Sequence, residues 1–187
     1  MRSLTRVGVR SVSLPLLADD IVEFHAGRLL LLLNLCGVSG SIDGLTKMAK
    51  LDFFVRYPDF FEVARTANTP STSQSQTDSN VAVESAMVRH HYGPWDKRYY
   101  HVLAHLEAKG LITVAKERTT YRITLTGLGR ERANKLAIRP SFGPLVERMR
   151  EVKKAFGGKS GNYLKQMIYR VFENEVGRRP MGEVIRP

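Results

Sequence analysis

His101 and His105 stand four residues apart, the spacing at which two imidazoles on one helix face can share a metal ion. The residues between them are apolar, Leu103 and Ala104 included, and no acidic third ligand is evident, so they read as solvated histidines. GGKS at 157–160 has the ending of a phosphate loop. The glycine such a loop needs five positions before Gly158 is instead Lys153, and no strand precedes it, so the stretch reads as a turn between helices. The lone cysteine, Cys36, sits in an apolar run unsuited to a low-pKa thiolate. No serine falls in a nucleophile-elbow frame, and the 18 acids form no paired-carboxylate motif. No catalytic residue, metal ligand or cofactor is assigned, and the chain is expected not to be an enzyme.

Charge points elsewhere. The 187 residues carry a net charge of +11. Residues 87–139 hold 11 basic and 4 acidic side chains and residues 140–187 hold 10 and 5, so the excess lies after residue 86. Such asymmetry suits a polyanion such as nucleic acid, or an acidic partner. One cysteine excludes a disulfide framework, and the run Leu29–Leu33 is far too short to span a membrane, so a cytoplasmic protein is expected. Arg2, Arg6 and Arg10, with no apolar core or cleavage site after them, make residues 1–18 read as a basic arm.

The elements that must position these charges follow from periodicity. Apolar residues recur at helical spacing over 19–36, with Asp19 or Asp20 as cap and Gly37 as stop, and again over 44–57 through Leu45, Met48, Leu51 and Phe54. That second stripe would turn Lys47, Lys50 and Arg56 outward. Pro58 should break the helix, with a short turn over 59–65. Residues 67–80 lack large apolar side chains and read as a polar insertion. Gly93 and Pro94 look like the start of a helix running to Lys109, with Tyr99, Val102, Leu103 and Leu106 inward. A β-hairpin over 111–115 and 119–126 follows, with Tyr121, Ile123 and Leu125 on its buried face. Further helices are predicted over 127–138, 144–156 and 161–176.

Three helices, a glycine and a hairpin in this order make an α+β, mainly helical fold with a winged-helix-like core over 19–139 and additional helices over 140–187. In that plan the third helix often enters the major groove and the wing touches the backbone. Lys97, Arg98, His101 and Lys109 on the helix, with Lys116, Arg118 and Arg122 on the wing, are the candidate phosphate donors. The same topology also serves protein docking. The stripes Leu145, Met149, Val152 and Phe156, then Leu164, Met167, Ile168 and Val171, could exceed what the domain covers and so bind a partner. Trp95, Tyr99 and Tyr100 beside Arg98 have the composition of interface anchors; the alternative is that Trp95 and Tyr99 pack the helix onto Phe53, Phe54 and Tyr57.

Two phrases taken together, GLTKMAKLDFFVRYPDFF at 44–61 and MVRHHYGPWDKRYYHVLAHLEAKGLI at 87–112, resemble the small middle component of ABC-type three-component antiphage systems, Lamassu-like systems included. The resemblance covers roughly residues 20–140. Its matching positions are Lys47, Lys50, Asp52, Arg56 and Tyr57, then Arg89, Tyr92, Trp95, Asp96, Arg98 and Tyr99. It implies an accessory subunit that accompanies an ATPase like those of structural maintenance of chromosomes (SMC) or Rad50 proteins and an effector, often a nuclease. Arg56, Tyr57, Arg89, Tyr92 and Trp95 are then candidate partner contacts, and double-stranded DNA a further partner. A dimeric winged-helix transcription regulator is the alternative.

Overall fold

The leucine-rich segment forms helix α1 (Val22–Cys36), and Leu29 to Leu33 are all buried, as expected of a helix apolar on every side. Gly37 stops it, its amide reaching the Leu33 carbonyl at 3.2 Å. The computed structural model describes residues 21–67, 87–91, 93–178 and 180–185. The basic arm, the caps Asp19 and Asp20, the polar insertion after Ala67, and Tyr92 lie outside the described residues.

A short strand, β1 (Ser41–Asp43), precedes α2 (Leu45–Arg56), and Tyr57 alone separates that helix from α3 (Pro58–Ala67). After residue 86 come strands β2 (Val88–His90) and β3 (Gly93–Trp95), helix α4 (Tyr99–Ala108), strands β4 (Ile112–Glu117) and β5 (Thr120–Leu125), and helix α5 (Gly127–Ala137). Thr126 caps α5, its hydroxyl accepting from the Gly129 amide at 3.0 Å. A 3₁₀ turn at Pro140–Phe142 leads into α6 (Gly143–Phe156), then α7 (Gly161–Val171) and a π turn at Glu173–Gly177.

The fold is α+β and mainly helical, with a three-stranded antiparallel sheet in the order β1-β5-β4. Register pairs Ile42 with Ile123 and Ile112 with Leu125, and all four side chains are buried. Tyr121, expected on that buried face, is 43% exposed because the hairpin has run past the core there. A second hairpin pairs β2 with β3, and the chain's end returns to it through a bridge of Val184 to Val88. Gly93 and Pro94 thus belong to a strand, and α4 begins only at Tyr99. Pro94 faces Arg89 in the register, at a ladder position its missing N–H does not break.

The C-terminal helices belong to the same core as the first two. Met149, Val152 and Phe156 of α6 and Leu164, Met167 and Ile168 of α7 are buried, while Leu145 and Val171 are half-buried at its margin. Phe156 stacks on Phe54 at 4.7 Å between ring centroids, and Phe172 meets Phe60 at 4.7 Å. The surplus of apolar surface expected on these helices is therefore taken up within the chain. The same enclosure corrects the expectation for α2: α1, α3, α6, α7 and strand β3 all pack against it, so Lys50 and Arg56 are buried rather than turned to solvent.

Candidate nucleic-acid interface

Helix α4 has two unlike faces because its apolar residues follow the helical period. Tyr99, Val102, Leu103 and Leu106 point into the core, which leaves Tyr100, His101 and the flanking Lys97 and Lys109 exposed. Gly110, at φ 65°, ends the helix and lets the chain enter the β4–β5 hairpin directly. At the hairpin tip Arg118 takes the left-handed conformation, φ 54°, and both it and Lys116 are exposed. Tyr100 of α4 and Thr119, Thr120 and Tyr121 of the hairpin line one cleft, so the helix face and the hairpin tip are neighbours.

Lys97, His101, Lys109, Lys116 and Arg118 make no ion pair among the described residues. The nearby carboxylates are engaged. Glu107 accepts from the Val114 amide at 2.9 Å. Asp43 and Glu117 both pair with Arg122, at 2.6 and 2.9 Å. Arg122, expected as a phosphate donor, is thereby engaged in tying the central strand β5 to the acids of its neighbours β1 and β4. Arg98 is likewise diverted: its Nε and Nη2 donate to Asp96 Oδ1 and Oδ2 at 3.0 and 2.8 Å.

Asp96 and Arg98 form the outer end of a buried charge network that fixes α4 against the first two helices. Arg28 of α1 donates to both oxygens of Asp52, at 2.9 and 3.3 Å, and the Tyr99 hydroxyl donates to Asp52 Oδ2 at 2.7 Å. Arg56 Nη1 donates to Asp96 Oδ2 at 2.9 Å. The His25 ring lies between two guanidiniums, its Nδ1 at 2.9 Å from Arg28 Nη1 and its Nε2 at 2.8 Å from Arg98 Nη1. Guanidiniums only donate and a neutral imidazole has one accepting nitrogen, so the ring accepts from one arginine at a time.

Electrostatics follow the geometry. Burial raises the Asp96 carboxyl, but hydrogen bonds from the Arg98 side chain and amide, with the charges of Arg56 and Arg98, outweigh it and hold the group below the usual carboxylate range. Burial and the neighbouring Asp52 push the Tyr99 hydroxyl well above its ordinary value, so it stays a donor. Lys50 is fully buried, donates to the Pro94 carbonyl at 2.9 Å, and is pushed down to about 7, by burial and then by Lys165.

The expected partner contacts fare differently from the DNA face. Arg56 and Tyr57 are buried, the latter accepting from the Met87 amide at 2.7 Å. Trp95 is 7% exposed and stacks on His90, and Arg89 is half-buried. Arg56, Tyr57 and Trp95 are thus packed inside the fold, and the cationic residues of α4 and the hairpin are what the surface offers. Sequence reasoning missed the extension of that surface onto α5, where Lys109, Arg132 and Arg139 rim a groove of about 520 Å³ floored by Leu111, Leu128 and Leu136. It also missed the network, although an arginine within a leucine-rich helix was a readable signal that Arg28 must meet a buried acid.

No family model, curated protein or solved structure matches this chain. Among the described residues no three His, Cys, Asp or Glu side chains converge as a metal set, and no helix is long and apolar enough to cross a membrane. What the exposed cations can do is donate to phosphate oxygens, a contact that orients a duplex without reading bases.

Proposed function

We propose that this protein is a non-catalytic accessory subunit that docks on double-stranded DNA through the outward face of α4 and the β4–β5 hairpin, in the manner of a winged helix. One observation carries the reading: Lys97, His101, Lys109, Lys116 and Arg118 are exposed without acidic partners, whereas Asp43, Glu107 and Glu117 on the adjoining elements are already engaged. Neutral wall and unspent cations favour an anion over a second basic protein surface. The strand order β1-β5-β4 and the helix preceding it supply the rigid frame that such docking needs. Contacts of this kind act on phosphates, so binding is expected to be nearly indifferent to sequence.

The setting is the one the resemblance implies, an antiphage complex with an SMC- or Rad50-like ABC ATPase and an effector. In that complex the protein would connect the ATPase to DNA. The test is binding of a labelled random duplex at low salt by the wild type and by Lys116→Ala/Arg118→Ala, together with copurification after coexpression with such an ATPase. Loss of duplex binding in the variant supports the docking face. Equal binding by both overturns it, and an ATPase that never copurifies overturns the setting alone. Tight binding to a single palindromic operator would instead indicate a transcription regulator.

A further inference from the structure

A cleft of about 470 Å³ opens between the hairpin tip, the β2–β3 hairpin and the first turns of α2 and α7. We propose that it binds a nucleoside phosphate. Its size suits one mononucleotide. One wall is aromatic: Trp95 stacks on His90 at 5.5 Å and meets Tyr100 at 5.8 Å, and both partner rings are exposed. A base can stack there whatever its identity. The opposite wall is cationic and polar, formed by Lys47, Lys165, Thr46 and Asn162. Asp43, the acid among the lining residues, is already held by Arg122 at 2.6 Å.

The backbone adds to the cationic wall. Two helix starts meet at this point, so closely that a Cβ on Gly161 would lie 3.0 Å from the Lys47 amide nitrogen. Gly44 gives α2 no side-chain cap, so the amides of its first turn lack a capping acceptor, and Leu45 and Thr46 of that turn line the cleft. Lys47 anchors this wall by donating to the Gly157 carbonyl at 3.0 Å.

Trp95 is the protein's single tryptophan and lines this cleft, so its fluorescence reports on binding there. Adenosine 5′-monophosphate, adenosine, inorganic phosphate, and a single-stranded oligonucleotide with or without a 5′-phosphate are titrated into the full chain, with calorimetry as a second readout. Saturable binding of the monophosphate about 10-fold tighter than of adenosine or phosphate is expected, as both walls must be engaged. Response to the monophosphate identifies a free nucleotide; response only to the 5′-phosphorylated strand identifies a strand terminus. Lys165→Gln and Tyr100→Ala, the latter at a 64% exposed position, should each weaken binding about 10-fold. Lys116→Ala/Arg118→Ala should leave it unchanged. No saturable binding of either phosphorylated ligand, or equal binding by wild type and both cleft variants, would overturn the proposal.

Discussion

Arg28 and Asp52, 24 residues apart in sequence, meet in the core with side chains 1% and 0% exposed and an Nε to Oδ1 distance of 2.9 Å. The pair joins α1 to α2, and Tyr99 extends it to α4, so the cationic helix face is oriented from within. Breaking a buried pair by removing one member strands the other charge in a low-dielectric interior. Asp52→Ala should therefore cost about 3–5 kcal/mol of unfolding free energy, measured by urea denaturation, because Arg28 loses its acid and Arg56 keeps only Asp96. A cost below about 1 kcal/mol would show that the network does not hold the helices together.

The fold was largely readable because its helices are amphipathic and its main hairpin is β-branched: α1, α2, α4, α5, α7 and β5 lie within their expected ranges, α6 starts one residue earlier than expected, and β4 runs two residues past its expected end. What escaped were elements too short to show a period. Ser41–Asp43 becomes a strand only because Ile42 can pair with Ile123, 81 positions on, and Gly93–Trp95 only because β2 is there to pair with it. The buried network was illegible for a related reason: Arg28–Asp52, Arg56–Asp96 and Tyr99–Asp52 are set by three-dimensional packing, and single charges in helical stripes look like solvated ones. Within the candidate interface, Lys97, His101, Lys109, Lys116 and Arg118 lie exposed as their place opposite the apolar stripe and on the hairpin implied, but the sequence had no means of showing that Asp96 and Asp43 would claim Arg98 and Arg122.

Acid should weaken the attachment of α4. The Asp96 carboxyl is held below its ordinary value of 3.8, so the folded protein keeps it ionised where the unfolded chain would protonate it. Its contribution is present above that ordinary value and is lost as pH falls below it. Asp96→Asn should flatten the stability profile between about pH 5 and 2 relative to the wild type, read by thermal melts across that range.

Lys50 titrates with the opposite consequence. Its ammonium is pushed down to about 7 from an ordinary 10.5, so above pH 7 the unfolded chain holds the proton that the folded chain has released. Stability should rise with pH through this window, and Lys50→Met should remove that rise. The difference between the two proteins, followed by chemical denaturation from pH 6.5 to 8.5, isolates the lysine; parallel curves would contradict the assignment.

Cys36 should be inert in the native protein. Its thiol is buried, donates to the Met149 carbonyl at 3.2 Å, and is raised to about 12, chiefly by burial. Alkylation by iodoacetamide at pH 8 should be at least about 100-fold slower than in the denatured chain, because the thiolate is the reactive form. Rapid native labelling would mean that α1 and α6 separate readily.

Gly129→Ala should destabilise although alanine is the better helix former. A Cβ there would run into the Leu111 carbonyl, where α5 crosses the start of the hairpin. Backbone cannot yield as a flexible side chain does, so a loss of about 2 kcal/mol or more is expected in thermal or urea unfolding. Gly127, with open space around its Cβ position, is the control and should tolerate alanine.

The proposed docking on DNA is tested most directly by the salt dependence of affinity for a random duplex. A plot of log affinity against log salt concentration should fall linearly, with a slope that Lys116→Ala/Arg118→Ala reduces in magnitude by about 2, the counterion release of two phosphate contacts. Affinity independent of salt, or a slope the same in both proteins, would contradict the account.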